Sequence, residues 1–175
     1  MKKLKLATVW LDGCSGCHMS LIDLDEKLLV VAAKADVIYG PLVDAHEFPE
    51  GVDVTLVEGA VSSQDDLKKI REIRSRTRVL VAFGDCAVTS NVPSMRNSIP
   101  VAKLINSIYV DGVDAARQAP SSDVPALLTQ ARPLHDFVEV DYHMPGCPPN
   151  AGTILAVVSD LLEGRKPKPP SVKFG

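Results

Sequence analysis

The sequence predicts one α/β domain built on a doubly wound parallel sheet of about five strands with helices on both faces. Three observations lead there. Short β-rich runs recur along the chain, and most are followed by segments with apolar residues at helical spacing. Two of the runs, 52–57 (VDVTLV) and 78–83 (RVLVAF), are almost continuously apolar, as strands covered on both faces are. Gly13, Gly16, Gly84 and Gly146 fall just past strand ends, where the backbone must turn sharply.

Taken in order, residues 5–11 (KLATVWL) form a first strand. Residues 18–34 then place Leu21, Leu24, Leu28 and Val31 on one helical face. Residues 36–43 read as a second strand and 52–57 as a third. Ser62 or Ser63 can cap the next helix, which carries Leu67, Ile70 and Ile73, with Asp65 and Asp66 in the first turn where the helix dipole favours negative charge. The fourth strand is 78–83, and the more alternating 137–143 (FVEVDYH) is the fifth, followed by a helix over 151–162 capped by Asn150. Right-handed crossovers between such parallel strands imply a flavodoxin-like order. The reading is a single domain over 1–165, interrupted at about 88–136 by a long excursion with expected helices at 101–108 and 123–131. A connection of that length is usually functional, for instance in docking a partner. Residues 166–175 are expected to form an extended Pro/Lys-rich tail.

Composition excludes several classes. With 175 residues, 46% hydrophobic and 23% charged, the chain is neither disordered nor a coiled coil. A net charge of −3, with its one basic run in the tail, argues against nucleic-acid binding. No apolar run approaches the roughly 20 residues that cross a bilayer, and the N-terminal run stops at Asp12 without a cleavage pattern. A cytoplasmic, reducing location is expected, in which Cys14, Cys17, Cys86 and Cys147 are metal ligands or redox thiols rather than a disulfide framework.

The cysteines lie where an open α/β sheet binds its ligands, beyond the carboxyl ends of the strands. The first strand runs into DGCSGC at 12–17, the fourth into GDCA at 84–87 and the fifth into PGCPP at 145–149. Three loops distant in sequence thus bring four thiols to one rim. A thioredoxin-like pair leaves Cys86 and Cys147 unexplained. Structural zinc takes four thiolates but favours two closely spaced pairs. Unrelated buried cysteines are a further reading, and counting thiols does not separate cluster types. Glu58, at the end of the third strand, points toward the same crevice, as a proton relay or as a loop cap. His18 follows Cys17 and is either a neighbour of the site or solvent-facing, and His143 either tunes the site or packs. His46 and His135 are expected at the surface, and Asp12 and Asp85 as turn-forming acceptors.

The set Cys14-Ser-Gly-Cys17, Gly84-Asp-Cys86-Ala and Pro145-Gly-Cys147-Pro-Pro resembles the proximal-cluster signature of [NiFe] hydrogenase small subunits and spans most of the chain. The shortness of the chain, with Asn91-Val-Pro-Ser-Met-Arg96, makes it most similar to the small subunits of bidirectional NAD-reducing enzymes. The resemblance implies a flavodoxin-like fold, one [4Fe-4S] cluster on Cys14, Cys17, Cys86 and Cys147, a large subunit holding the Ni–Fe site, and diaphorase subunits carrying flavin and further clusters. Without a twin-arginine leader or a C-terminal Cys/His set, a single cluster and a cytoplasmic address are expected. The chain also resembles the complex I subunit that holds the terminal cluster, a quinone-reducing alternative, although there the first two cysteines are adjacent. FMN in this chain is not favoured, because cysteines occupy the loop that cradles the phosphate in flavodoxins. A zinc-stabilised scaffold is the competing reading from a different class.

Overall fold

The computed structural model describes residues 3–112 and 118–168. The expected tail residues Pro169, Pro170 and Lys173, and five residues of the 88–136 excursion, lie outside them.

Five parallel strands form the main sheet: β1 (Leu4–Trp10), β2 (Ala35–Tyr39), β3 (Val52–Glu58), β5 (Thr77–Phe83) and β7 (Tyr142–Met144), in the order β2-β1-β3-β5-β7. Counting only these five, the order is the flavodoxin one. Side chains alternate across the pleat, so each strand serves two cores. Leu6, Val54, Leu56, Val81 and Phe83 pack with α1 (Gly16–Ile22), α2 (Leu28–Lys34) and α6 (Ala151–Leu162). Ala7, Val57, Leu80 and Ala82 face the other way, onto Ile70 and Ile73 of α3 (Gln64–Arg76). Burying strands on both faces in this way is what makes their sequences read as unbroken apolar runs.

The expected caps are in place. Ser63 accepts from the Asp66 N–H, and the Asp66 carboxylate accepts from the Ser63 N–H, a reciprocal box that opens α3. Asn150 accepts from the Thr153 N–H at the start of α6.

Several boundaries differ from the sequence expectation, each for a local reason. The 18–34 helix is two helices joined by a short 3-10 turn, Asp25–Lys27, with Asp25 in a left-handed conformation (φ 48°) that an aspartate tolerates. The second strand stops at Tyr39, before Gly40 and Pro41, since proline has no N–H for a ladder. The 123–131 helix is replaced by β6 (Leu127–Arg132), which pairs antiparallel with β4 (Val61–Ser63). Long-range pairing overrides local propensity there, helped by Asn97, whose side chain bonds both the N–H and the C=O of Ala131. The last strand shortens to Tyr142–Met144, because the Asp141 carboxylate takes the Leu80 N–H. Helix α5 (Val101–Asn106) forms as expected and runs on into a π-turn, Ser107–Asp111.

Candidate metal centre

The carboxyl rim of the sheet is assembled by bonds between loops. The loop after β1 is tied to the end of β3: Leu11 N–H donates to Glu58 O (2.9 Å), and Asp12 and Ala60 exchange backbone bonds of 3.2 and 2.8 Å. Asp12 contributes through its backbone, whereas Asp85 acts through both backbone and side chain, as an acceptor for Gly146 N–H (2.7 Å) and a donor to Gly146 O (2.9 Å). Gly84 N–H donates to Met144 O (2.8 Å), and Ser20 Oγ in α1 donates to Pro149 O (2.6 Å). Each of the three cysteine loops is therefore bonded to another element of the rim.

Gly84 shows how closely they approach. It opens α4 (Asp85–Thr89) at φ 84°, and a Cβ placed there would lie 2.1 Å from Cys17 Sγ and 3.4 Å from Gly146 O. Only glycine leaves room for the Cys17 sulfur against the start of the Cys86 loop.

All four thiols are free; Cys17 is buried, Cys86 half-buried, and Cys14 and Cys147 exposed. Burial first, then the Glu58 carboxylate, then Cys86, Cys14 and Cys147, push the Cys17 thiol far above its ordinary range. Burial also raises Cys86, against the opposing effect of a hydrogen bond from the Val92 N–H. Cations bound among the thiols would release these protons and hold the thiolates. Soft thiolates suit iron–sulfur clusters, zinc or copper(I). Among the described residues no three His, Cys, Asp or Glu side chains close around a point as ligands of one ion do.

Glu58 is 1% exposed and accepts hydrogen bonds from the backbone N–H groups of Cys17 (3.4 Å) and His18 (3.0 Å). The His18 ring is partly buried, with Nδ1 on Glu58 Oε2 and its face 6.1 Å from that of Phe83. His143 sits instead against His135, ring centroids 5.7 Å apart, where burial and then His135 lower its pKa. His135 and His46 are exposed, as expected.

Sequence reasoning missed Asn91, which supplies a donor to one of the sulfurs: its Nδ2 lies 3.5 Å from Cys147 Sγ. The only signal was the Asn-Val-Pro run itself.

Beside Ser15, a groove of about 300 Å³ is lined by Trp10, His18, Met19, Ile22, Pro41 and Leu42. Trp10, Met19, Ile22 and Leu42 are exposed.

A flavodoxin-type sheet with cysteine loops converging on its carboxyl rim defines a class of α/β domains with a thiol-lined rim. The chain belongs to the family described as NADH ubiquinone oxidoreductase, 20 Kd subunit, whose profile matches residues 14–161. It is 36% identical over 168 residues to the NAD-reducing hydrogenase HoxS subunit delta of Cupriavidus necator, covering 93% of this chain and 80% of that one. It is 39% identical over 170 residues to one chain of the vhu F420-non-reducing hydrogenase of Methanocaldococcus jannaschii, covering 96% of this chain but 59% of that relative's length. A chain in a crystal structure of NAD+-reducing [NiFe]-hydrogenase in the H2-reduced state superposes with a TM-score of 0.93 at 36% identity, covering 99% of this chain and 100% of that one. The [NiFeSe]-hydrogenase of Dm. baculatum, with a TM-score of 0.59 at 21% identity, shares the fold.

Proposed function

We propose that this chain is the electron-transfer small subunit of a soluble, cytoplasmic NAD-reducing [NiFe] hydrogenase, with Cys14, Cys17, Cys86 and Cys147 ligating one [4Fe-4S] cluster. The observation that carries the reading is the convergence of four free thiols on one rim, on three loops held together by the bonds of Gly84 to Met144, of Asp85 with Gly146 and of Ser20 to Pro149. Likeness to the C. necator delta subunit and to the NAD+-reducing enzyme supports the choice of complex. A single zinc ion is less well supported, because four-thiolate zinc sites favour two closely spaced pairs, whereas Cys86 and Cys147 follow different strands.

When bound, the cluster supplies one-electron storage between the Ni–Fe site of a large subunit and the flavin and iron–sulfur centres of diaphorase subunits, for H2 + NAD+ ⇌ H+ + NADH. This chain's own residues hold and shield. Cys17 would hold the cluster from a buried, low-dielectric setting, whereas Cys14 and Cys147 would hold it from the exposed surface. The exposed Trp10, Met19, Ile22 and Leu42 flank that rim and suit burial beneath the large subunit. Glu58 keeps the first turn of α1 in place through the N–H groups of Cys17 and His18, and the geometry supports that holding role more directly than proton transfer. Among the described residues no helix is long and apolar enough to cross a membrane.

The test is a serine replacement at each cysteine in the assembled complex. Hydrogen-driven NAD+ reduction should be lost while NADH-driven dye reduction by the diaphorase persists; survival of the first activity in all four variants removes the relay role. Anaerobically purified protein should be brown, with about four irons per chain. A colourless, zinc-loaded sample supports the scaffold, and co-purification with a nickel-containing subunit separates a hydrogenase from a quinone-reducing assembly.

A further inference from the structure

Helix α4 ends at Thr89, and the next two residues adopt backbone conformations that side chains rarely take: Ser90 at φ 66°, ψ −11° and Asn91 at φ 23°, ψ −117°. Such conformations persist only where the surroundings over-determine them. Those surroundings are present. Ser94 N–H donates to Ser90 O (3.1 Å) and Asn91 O (3.2 Å), and Ser94 Oγ donates to Asn91 O (2.7 Å). Pro93 presets the 3-10 turn Val92–Ser98. Arg96 Nη2 fastens that turn to the β4–β6 ribbon through Ser62 O (3.0 Å) and Leu128 O (3.1 Å).

The reversal aims a side-chain donor at a sulfur carried by another loop. Asn91 Nδ2 reaches Cys147 Sγ at 3.5 Å. Cys147 is exposed and lies past the end of β7, so its sulfur gains this donor only because Asn91 is turned toward it.

We propose that Asn91 is a positioning residue that raises the reduction potential of the cluster by donating its side-chain amide to the Cys147 sulfur, 3.5 Å away. This rests on the cluster reading above. Reduction adds one electron to the cluster and its thiolates, which increases negative charge on the sulfurs. A fixed N–H dipole stabilises the more negative state more strongly, so the donor favours reduction. Asn91 itself gains and loses neither electron nor proton.

The test is an EPR-monitored redox titration of the full chain, reconstituted anaerobically with iron and sulfide and reduced with dithionite through mediators. Asn91→Leu removes the donor and should lower the equilibrium constant for reduction about tenfold, a shift of ~59 mV to more negative potential for a one-electron couple. Asn91→Asp keeps the shape and the tolerance for this backbone, replaces the donor with a negative acceptor, and should shift the potential further in the same direction. An unshifted potential in Asn91→Asp at full iron content overturns the assignment. Loss of iron from both variants, with the remaining clusters titrating like the wild type, also overturns it, since Asn91 would then only build the loop. A wild-type chain that takes up no iron overturns the proposed function itself, a different failure from an unmoved potential.

Discussion

Asp85 and Gly146 hold each other through two hydrogen bonds, Asp85 N–H to Gly146 O at 2.9 Å and Gly146 N–H to the Asp85 carboxylate at 2.7 Å. The pair sets the spacing between the loops that carry Cys86 and Cys147. Asp85→Ala leaves the Gly146 N–H without its acceptor, at a cost of about 1–3 kcal/mol, and frees one cysteine loop from the other. Iron should leave this variant faster under a chelator, whereas Asp85→Asn, which keeps an oxygen there, should release it nearly as slowly as the wild type. Equal release from all three proteins would mean that the pair does not govern loop spacing.

Gly84 is the tightest point of the rim. Gly84→Ala combines a positive φ of 84° that side chains rarely adopt with a methyl group placed 2.1 Å from Cys17 Sγ, so the buried thiol must move. Loss of most bound iron and a lowered Tm are expected. Gly51→Ala is the control: its φ is also positive, at 66°, but no atom lies within 4 Å of the new Cβ, so iron content should hold. A Gly84→Ala protein with full iron would show that the Cys17 sulfur has room to spare.

The sheet and the thiol rim were readable in the sequence because their signals are local. Period-2 and continuous apolar runs mark strands, Ser63 and Asn150 mark helix starts, and each cysteine lies in a loop beyond a strand end with a glycine or proline within two residues. What was not readable depends on partners distant in sequence. Residues 127–132 are a strand only because β4 and the Asn97 side chain offer hydrogen bonds. Aim of Asn91 at Cys147 requires two unusual backbone angles in succession, which no composition or spacing announces. Glu58 was placed correctly at the rim, but its engagement with the Cys17 and His18 N–H groups follows from the register of β3 against β1.

Glu58 substitutes for a missing cap. Ser15, before α1, makes no side-chain capping bond, and the carboxylate from β3 serves the first N–H groups instead. Glu58→Ala should orphan both donors in a buried place, destabilising the iron-free chain by about 1–3 kcal/mol for each. Glu58→Gln keeps one acceptor oxygen and should lose roughly half as much. Urea unfolding decides it: identical midpoints for the Ala and Gln variants would remove the carboxylate from this role.

Asp141 gives the fold an acid-sensitive joint just before β7, the strand that leads to Cys147. Its carboxylate accepts from Leu80 N–H (2.7 Å) and from Arg74 Nη1 (2.6 Å). Burial alone would raise its pKa, but the Leu80 hydrogen bond and then the Arg74 guanidinium outweigh burial and hold the carboxyl below the usual range. A carboxyl depressed in the folded state contributes stability that is fully present above its unfolded pKa of about 3.9 and is lost as pH falls through the lower folded value. Asp141→Asn keeps an acceptor for Leu80 but gives up the attraction to Arg74. The variant should therefore unfold at lower urea than the wild type near pH 6, and the difference should shrink steadily below about pH 4, as the wild-type carboxylate is protonated. A gap of constant size from pH 6 down to pH 2 would show that ionised Asp141 does not brace this end of the sheet.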